Sequence, residues 1–232
     1  MGYLLKGKRI LLISPEPWDH IAVSKHHYAQ KLAERDNEVF FLGPPEEGYD
    51  IQPSEHSQLW ILGYPGFPKG MRFFPRRYQG QRILKEVERL EKLAGDSFDI
   101  IWSFDDSVFF EMSALPDQLL KILHIVDLDQ DFQLKRAAHT TDIRVCTTPY
   151  IRDRIKALGK DAQIVGHGHS RTSSPSYQKE LPGKNPVKAL FAGNLRRTYL
   201  DWGLLYEAAS ALPKVDFVLL GPNGEVVDPR DN

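Results

Sequence analysis

The order of elements along the chain predicts an α/β fold, a Rossmann-like parallel sheet with helices on both faces. Three observations carry this. Short β-rich runs alternate with segments of helical period, and the strand runs are almost continuously apolar, as in a sheet buried on both sides. The pattern breaks once, at 171–186, in a polar stretch interrupted by prolines, and then restarts.

Taken in order, the first strand falls at 9–14 (Arg-Ile-Leu-Leu-Ile-Ser). After a proline-containing loop, Ser24 is placed to cap a helix that carries Tyr28, Ala29, Leu32 and Ala33 on one face, with Asn37 suited to its end. A second strand at 38–42 is stopped by Gly43-Pro44-Pro45, and a third is expected at 59–64. Ile83, Leu84, Val87, Leu90 and Leu93 line one side of a long amphipathic helix at 81–94. A strand follows at 99–104, then a strand at 120–126 with a helix near 132–138, a strand at 143–148 with a helix at 150–158, and a last strand at 162–165. After the linker come a strand at 187–192, a helix near 202–212 and a strand at 216–220. The expected organisation is therefore a first Rossmann-like domain at 1–170, a linker at 171–186 and the first βαβ unit of a second Rossmann-like domain at 187–232.

Composition narrows the function classes. The 232 residues carry 30 Lys+Arg against 31 Asp+Glu, so no long-range positive field exists to support general nucleic-acid binding. Cys146 is the single cysteine; it sits in the run Ile143-Arg144-Val145-Cys146 and reads as a small buried hydrophobe. An internal disulfide is impossible, and a reducing, cytoplasmic setting is expected. No stretch is long and apolar enough for a signal peptide core or a spanning helix.

The first strand is followed by Ser14-Pro15-Glu16-Pro17-Trp18, with no glycine and an acid where a pyrophosphate would approach, so the dinucleotide fingerprint is absent. No G-x-x-x-x-G-K-[ST] occurs either. The second domain opens instead with Val187-Lys188-Ala189-Leu190-Phe191-Ala192-Gly193-Asn194-Leu195, then Asp201-Trp202-Gly203-Leu204-Leu205, Pro213, and Phe217-Val218-Leu219-Leu220-Gly221-Pro222. In these residues the chain resembles the GT-B glycosyltransferases, in particular the bacterial exopolysaccharide and teichuronic-acid type related to glycosyltransferase family four. Ile13-Ser14-Pro15-Glu16-Pro17-Trp18-Asp19 and Ser24-Lys25-His26-His27-Tyr28-Ala29 are similar to the acceptor-domain opening of that group. Leu123-His124-Ile125-Val126-Asp127 resembles its middle strand, and Gly166-His167-Gly168-His169 its crossing to the donor domain.

The resemblance implies transfer of a sugar from a nucleoside-diphosphate donor to a saccharide or lipid-linked acceptor in polysaccharide biosynthesis, with no cofactor or obligatory metal. It implies a donor site at Gly193, Asn194, Arg196 and Arg197, in which Asn194 stands where family four has an arginine and a nearby arginine would take over the diphosphate. The Glu-x(7)-Glu region of the family falls past residue 232, so the donor pocket is expected to be incomplete in these residues. An enzyme of this kind needs its acceptor hydroxyl positioned and deprotonated, and backbone N–H groups near Gly193 to meet the departing diphosphate.

In open α/β sheets ligands sit at the carboxyl ends of the strands, so the polar loops there supply the candidate residues. Glu16, Trp18, Asp19 and His20 follow the first strand and could hold a sugar hydroxyl and stack a sugar face; they could equally be a proline-stiffened charged loop. Asp105 and Asp106 follow the strand at 99–104. His124 and Asp127 are the candidate catalytic pair, against the alternatives of a hydrogen-bonded core histidine and an acidic helix cap. Asp127-Leu128-Asp129 also fits the D-x-D of metal-dependent GT-A transferases, the enzymatic alternative, while Phe132 and Ala138 stand where an EF-hand loop needs Gly and Glu. His26 and His27 read as helix-start or solvent-facing residues, and His167 with His169 lacks a third ligand at useful spacing. A non-catalytic glycan- or nucleotide-binding partner is the other class left open. One local charge asymmetry remains: Lys69, Arg72, Arg76, Arg77, Arg82, Lys85, Arg89 and Lys92 stand against Glu86, Glu88 and Glu91, interleaved with Met71, Phe73, Phe74 and Tyr78. This segment suits either an anionic membrane surface, making the protein peripheral to the inner face of the membrane, or a solvated helix face with i,i+4 pairs.

Overall fold

The computed structural model describes residues 5–128, 133–168, 180–195 and 200–221. The chain divides into two compact units, 1–169 and 170–232. Each is described by itself.

The first unit contains β1 (Arg9–Ile13), α1 (Ser24–Ala33), β2 (Glu38–Leu42), β3 (Asp50–Pro53), β4 (Leu59–Gly63), α2 (Arg76–Ala94), β5 (Ile100–Ser103), β6 (Leu120–Ile125), α3 (Leu134–Thr140), β7 (Ile143–Cys146), α4 (Pro149–Ala157) and β8 (Gln163–Ile164). Its eight strands pair in the order β3-β4-β2-β1-β5-β6-β7-β8. Every pairing is parallel except β3 with β4. Successive strands run outward from β1 in one direction and then, from β5, in the other. The α/β, Rossmann-like expectation holds at this level, and the reversal puts a crevice beyond the carboxyl ends of β1 and β5.

Side-chain alternation splits the core into two layers. Leu11 and Ile13 of β1 join Ile83, Val87 and Leu90 of α2, Leu134 and Ala137 of α3, and Ile151 and Ile155 of α4. Ile10 and Leu12 point the other way, into a layer with Ala29, Leu32 and Ala33 of α1. Helices thus lie on both faces, with α1 alone on its side among the described residues.

Three boundaries differ from expectation for identifiable reasons. The helix expected at 81–94 begins at Arg76, behind Pro75 at the N-cap, and runs through Gly80. A Cβ at Gly80 would lie 3.1 Å from the Ala114 side chain, so this glycine is a close-packing position within the helix. The edge strand β3 was not expected, because Asp-Ile-Gln-Pro is largely exposed and carries almost no apolar pattern. In α1, Val23 rather than Ser24 occupies the N-cap; its N–H donates to His26 Nδ1 at 3.2 Å. Asn37 is wholly buried and acts beyond the helix, accepting from Lys8 N–H at 3.0 Å and donating to the Leu32 and Leu5 carbonyls at 2.8 and 3.2 Å.

The second unit contains β9 (Val187–Ala192), α5 (Trp202–Ala211) and β10 (Val215–Leu220), with the two strands parallel from Val187↔Val215 to Ala192↔Leu220. This is the expected βαβ element. Asp201 caps α5, accepting from Leu204 N–H at 2.9 Å. Asp216 ties the strand entry together: it accepts from Asn185 N–H and Nδ2 at 2.8 Å each and from Lys188 Nζ at 2.9 Å. Gly183 (φ 109°) turns the chain here with its α-carbon against the Asp216 carboxylate, where no side chain would fit.

Candidate functional site

On the α1 side of the sheet, toward the carboxyl ends of β5 and β6, lies a cluster of rings. The strand β6 carries His124 into it, 1% exposed, with Phe104 stacked at 4.6 Å, Tyr28 of α1 edge-on at 5.2 Å and Trp102 at 6.2 Å. Residues 120, 122 and 124 point to one side of the sheet, so the apolar run that makes β6 a buried strand also buries the imidazole. Neither ring nitrogen of His124 has a hydrogen-bond partner among the described residues, nor does the neighbouring Trp102 Nε1. Buried polar atoms are ordinarily satisfied, so three orphans in one aromatic cluster mark a place suited to a polar ligand.

Burial pushes the His124 pKa down to about 4, and the positive fields of His167 and Lys25 act in the same direction. The ring is therefore neutral at pH 7. One nitrogen can accept a hydrogen bond and the other can donate one, and its basicity is that of a carboxylate until a bound anion raises it. The core-histidine alternative is right about burial, while among the described residues the ring has no hydrogen bond.

Lys25, on the first turn of α1, is nearly enclosed, and its Nζ lies 2.6 Å from Glu16 Oε2. Glu16 is thus committed to an ion pair at the mouth of the crevice. Trp18 is half-buried and already engaged by three rings, Phe41 at 5.0 Å, His26 at 5.4 Å and His56 at 6.2 Å. That packing leaves the Trp18 indole as part of the α1-side core. Asp19 and His20 are exposed, and His20 Nδ1 donates to its neighbour's carbonyl, Ile21 O, at 3.1 Å.

His26 lies in the first turn of α1, one of the two places expected for it, but its ring faces inward. It is 2% exposed, and because Nδ1 accepts from Val23, Nε2 carries the proton and donates to Pro17 O at 3.0 Å. His27 is exposed.

Asp105 closes its own loop: one carboxylate oxygen accepts from Ser107 N–H at 2.7 Å and Ser107 Oγ at 2.6 Å. Asp127 is exposed immediately past β6, on the same strand end as His124. Asp129, the second acid of the D-x-D, lies outside the described residues, as do Asp131, Phe132 and His169. Among the described residues, no three His, Cys, Asp or Glu side chains gather as a metal site.

In the second unit, Gly193 N–H donates to Leu220 O at 2.8 Å. The strand ladder therefore uses this N–H itself, which leaves the expectation for the backbone N–H groups near Gly193 to its neighbours. Gly221 faces the same turn, and a Cβ there would collide with the Gly193 carbonyl. Asn194 follows at the carboxyl end of β9, while Arg196 and Arg197 lie outside the described residues. Cys146 is buried, as its apolar run implied, and burial raises its thiol pKa. No helix among the described residues is long and apolar enough to cross a membrane.

The residue sequence reasoning missed is Lys25. A lysine on a helix's first turn gave no sign of burial, although an acid in the loop before it, Glu16, was a usable signal for a partner. The chain matches no protein-family model, and no curated protein matches it.

Proposed function

We propose that the protein is a glycosyltransferase of GT-B type, moving a sugar from a nucleoside-diphosphate donor to a hydroxyl of a saccharide or lipid-linked acceptor. The observation that carries this is His124: a buried imidazole with both nitrogens unpartnered among the described residues, beside the crevice of a doubly wound sheet. The neutral ring accepts a hydrogen bond from the attacking acceptor hydroxyl. As the hydroxyl oxygen bonds to the sugar's anomeric carbon, the bond from that carbon to the diphosphate breaks, the diphosphate leaves with the electron pair, and the hydroxyl proton passes to His124 or to Asp127 and then to water. The Lys25–Glu16 pair holds the crevice mouth in shape. Asn194, with Arg196 and Arg197, is assigned to the donor diphosphate by the resemblance of the second unit's opening.

The test is turnover of UDP- and GDP-sugars with saccharide and lipid-linked acceptors, read by mass spectrometry, for wild type, His124→Phe and Asp127→Asn. General-base assistance is typically worth about 10²–10⁴ in rate, so one of the two variants should lose that much while its melting temperature stays high. Full turnover in both variants would refute the assignment. Saturable nucleotide or glycan binding without any turnover would favour the non-catalytic binding partner.

A further inference from the structure

A second hollow lies on the opposite side of the sheet from His124. Loops after β2, β4 and β5 border an open hollow of about 390 Å³, lined by Pro45, Phe67, Met71, Phe73, Val108 and Phe110. Met71 and Phe110, with Phe67 and Val108 packed on them, belong to the α2-side core layer, whereas Trp102 and Phe104 beside His124 belong to the α1-side layer. The volume falls in the range of small-ligand pockets, about 300–1,000 Å³, and the wall offers hydrocarbon rather than converging polar groups.

The rim is aromatic and basic. Phe73 is 79% exposed, Phe74 46% and Tyr78 42%, a contiguous apolar patch on the short turn Met71–Phe73 and the start of α2. Between residues 69 and 85 the chain has Lys69, Arg72, Arg76, Arg77, Arg82 and Lys85 and no acid. Lys69, Arg72, Arg76 and Arg77 are all exposed. Arg76 is held by the buried Glu111 at 2.7 Å, and the Arg72 guanidinium lies 4.8 Å from the Phe73 ring centre, over the mouth of the hollow.

We propose that this hollow takes one hydrocarbon chain of an anionic phospholipid, with Phe73, Phe74 and Tyr78 at the depth of the headgroups and Lys69, Arg72 and Arg77 against the phosphate. Charge complementarity chooses the anionic lipid over a neutral one, since cations near such a surface each add about fivefold to binding. The apolar wall of the hollow distinguishes chain capture from adsorption by charge alone. Nothing in it depends on the glycosyl-transfer reading.

Calorimetry of the full chain with alkyl phosphates from hexyl to dodecyl, all below their micelle concentrations, tests the pocket. Affinity should rise about fourfold per methylene until the hollow is full, and dodecyl maltoside, with a neutral head, should bind more weakly than dodecyl phosphate. Val108→Trp, which fills the hollow, and Phe73→Ser, at an exposed position that leaves the core intact, should both flatten the chain-length dependence. Arg72→Glu/Arg77→Glu should lower affinity for every alkyl phosphate alike and reduce sedimentation with phosphatidylglycerol vesicles relative to phosphatidylcholine vesicles. Equal affinity for hexyl and dodecyl phosphate in the wild type would overturn the proposal. So would vesicle binding that needs anionic lipid but is untouched by Val108→Trp and Phe73→Ser.

Discussion

Replacing His124 by Phe should make the protein less sensitive to acid. In the native state the imidazole pKa is about 4, whereas in an unfolded chain it is about 6.5. The native pKa is the lower of the two, so between these values the unfolded chain binds the proton and the folded one does not, and stability falls as pH falls. The two pKa values imply that His124 alone costs the wild type about 2 kcal/mol by pH 5 and about 3 kcal/mol by pH 4, relative to pH 7. The charged groups contributing to the depression, His167 and Lys25, remain in the variant, and the ring's surroundings, Tyr28, Trp102 and Phe104, accept a phenyl group of similar size. At pH 7 the variant should match or exceed wild type, because it no longer buries two nitrogens that lack a partner among the described residues, a cost of about 1–3 kcal/mol per unsatisfied group. Urea unfolding of both proteins at pH 7, 6, 5 and 4 measures the difference, and carboxylate titrations common to both cancel. A stability difference that stays constant over this range would refute the account of His124 as a buried, neutral imidazole.

Other consequences concern elements that hold the two units. Arg76→Ala should destabilise by about 1–2 kcal/mol at pH 7, since it leaves the fully buried Glu111 carboxylate with only its Ser113 hydrogen bonds; Glu111→Gln, which removes the charge, should cost less by chemical denaturation. Asp216→Ala removes three hydrogen bonds at the entry to β9, so amide exchange at residues 185–192 should accelerate while that of β1 to β7 stays unchanged. Cys146 should resist a thiol reagent in the native protein and react fully in denaturant, and rapid native labelling would show that burial of this thiol is misassigned.

The sheet was legible because its strands obey one rule throughout. Runs such as Ile10-Leu11-Leu12-Ile13 and Val39-Phe40-Phe41-Leu42 feed both core layers at once, so they cannot be half-exposed antiparallel strands, and the helices between them supply the crossovers. What escaped was local. Strand β3 is held by ladder hydrogen bonds to β4 rather than by burial, and no hydropathy pattern reports that kind of support. Gly80 and Asn37 each make a tertiary contact that sequence does not report: Gly80 packs against Ala114, and Asn37, besides meeting the Leu32 carbonyl at the end of α1, accepts from Lys8 N–H just before β1.

The candidate site divides along the same line. Position at the carboxyl end of a strand is a property of topology, so Glu16, Asp105 and Asp127 could be placed there from sequence, but topology leaves open whether a polar group has a partner. Asp105 spends its carboxylate on Ser107 and Glu16 pairs with Lys25, so two of the acids chosen for chemistry are absorbed into the scaffold. His124 is the reverse case. An isolated histidine in an apolar strand reads as a core residue because such residues normally find a hydrogen bond, and here the neighbours that bury it, Phe104, Tyr28 and Trp102, present ring faces and edges to it instead. A leucine at this position would fill the same space without the desolvation cost of two ring nitrogens. The histidine therefore makes physical sense as a group that gains its partner from a bound hydroxyl, and this is why the functional reading rests on it rather than on the more conspicuous acids.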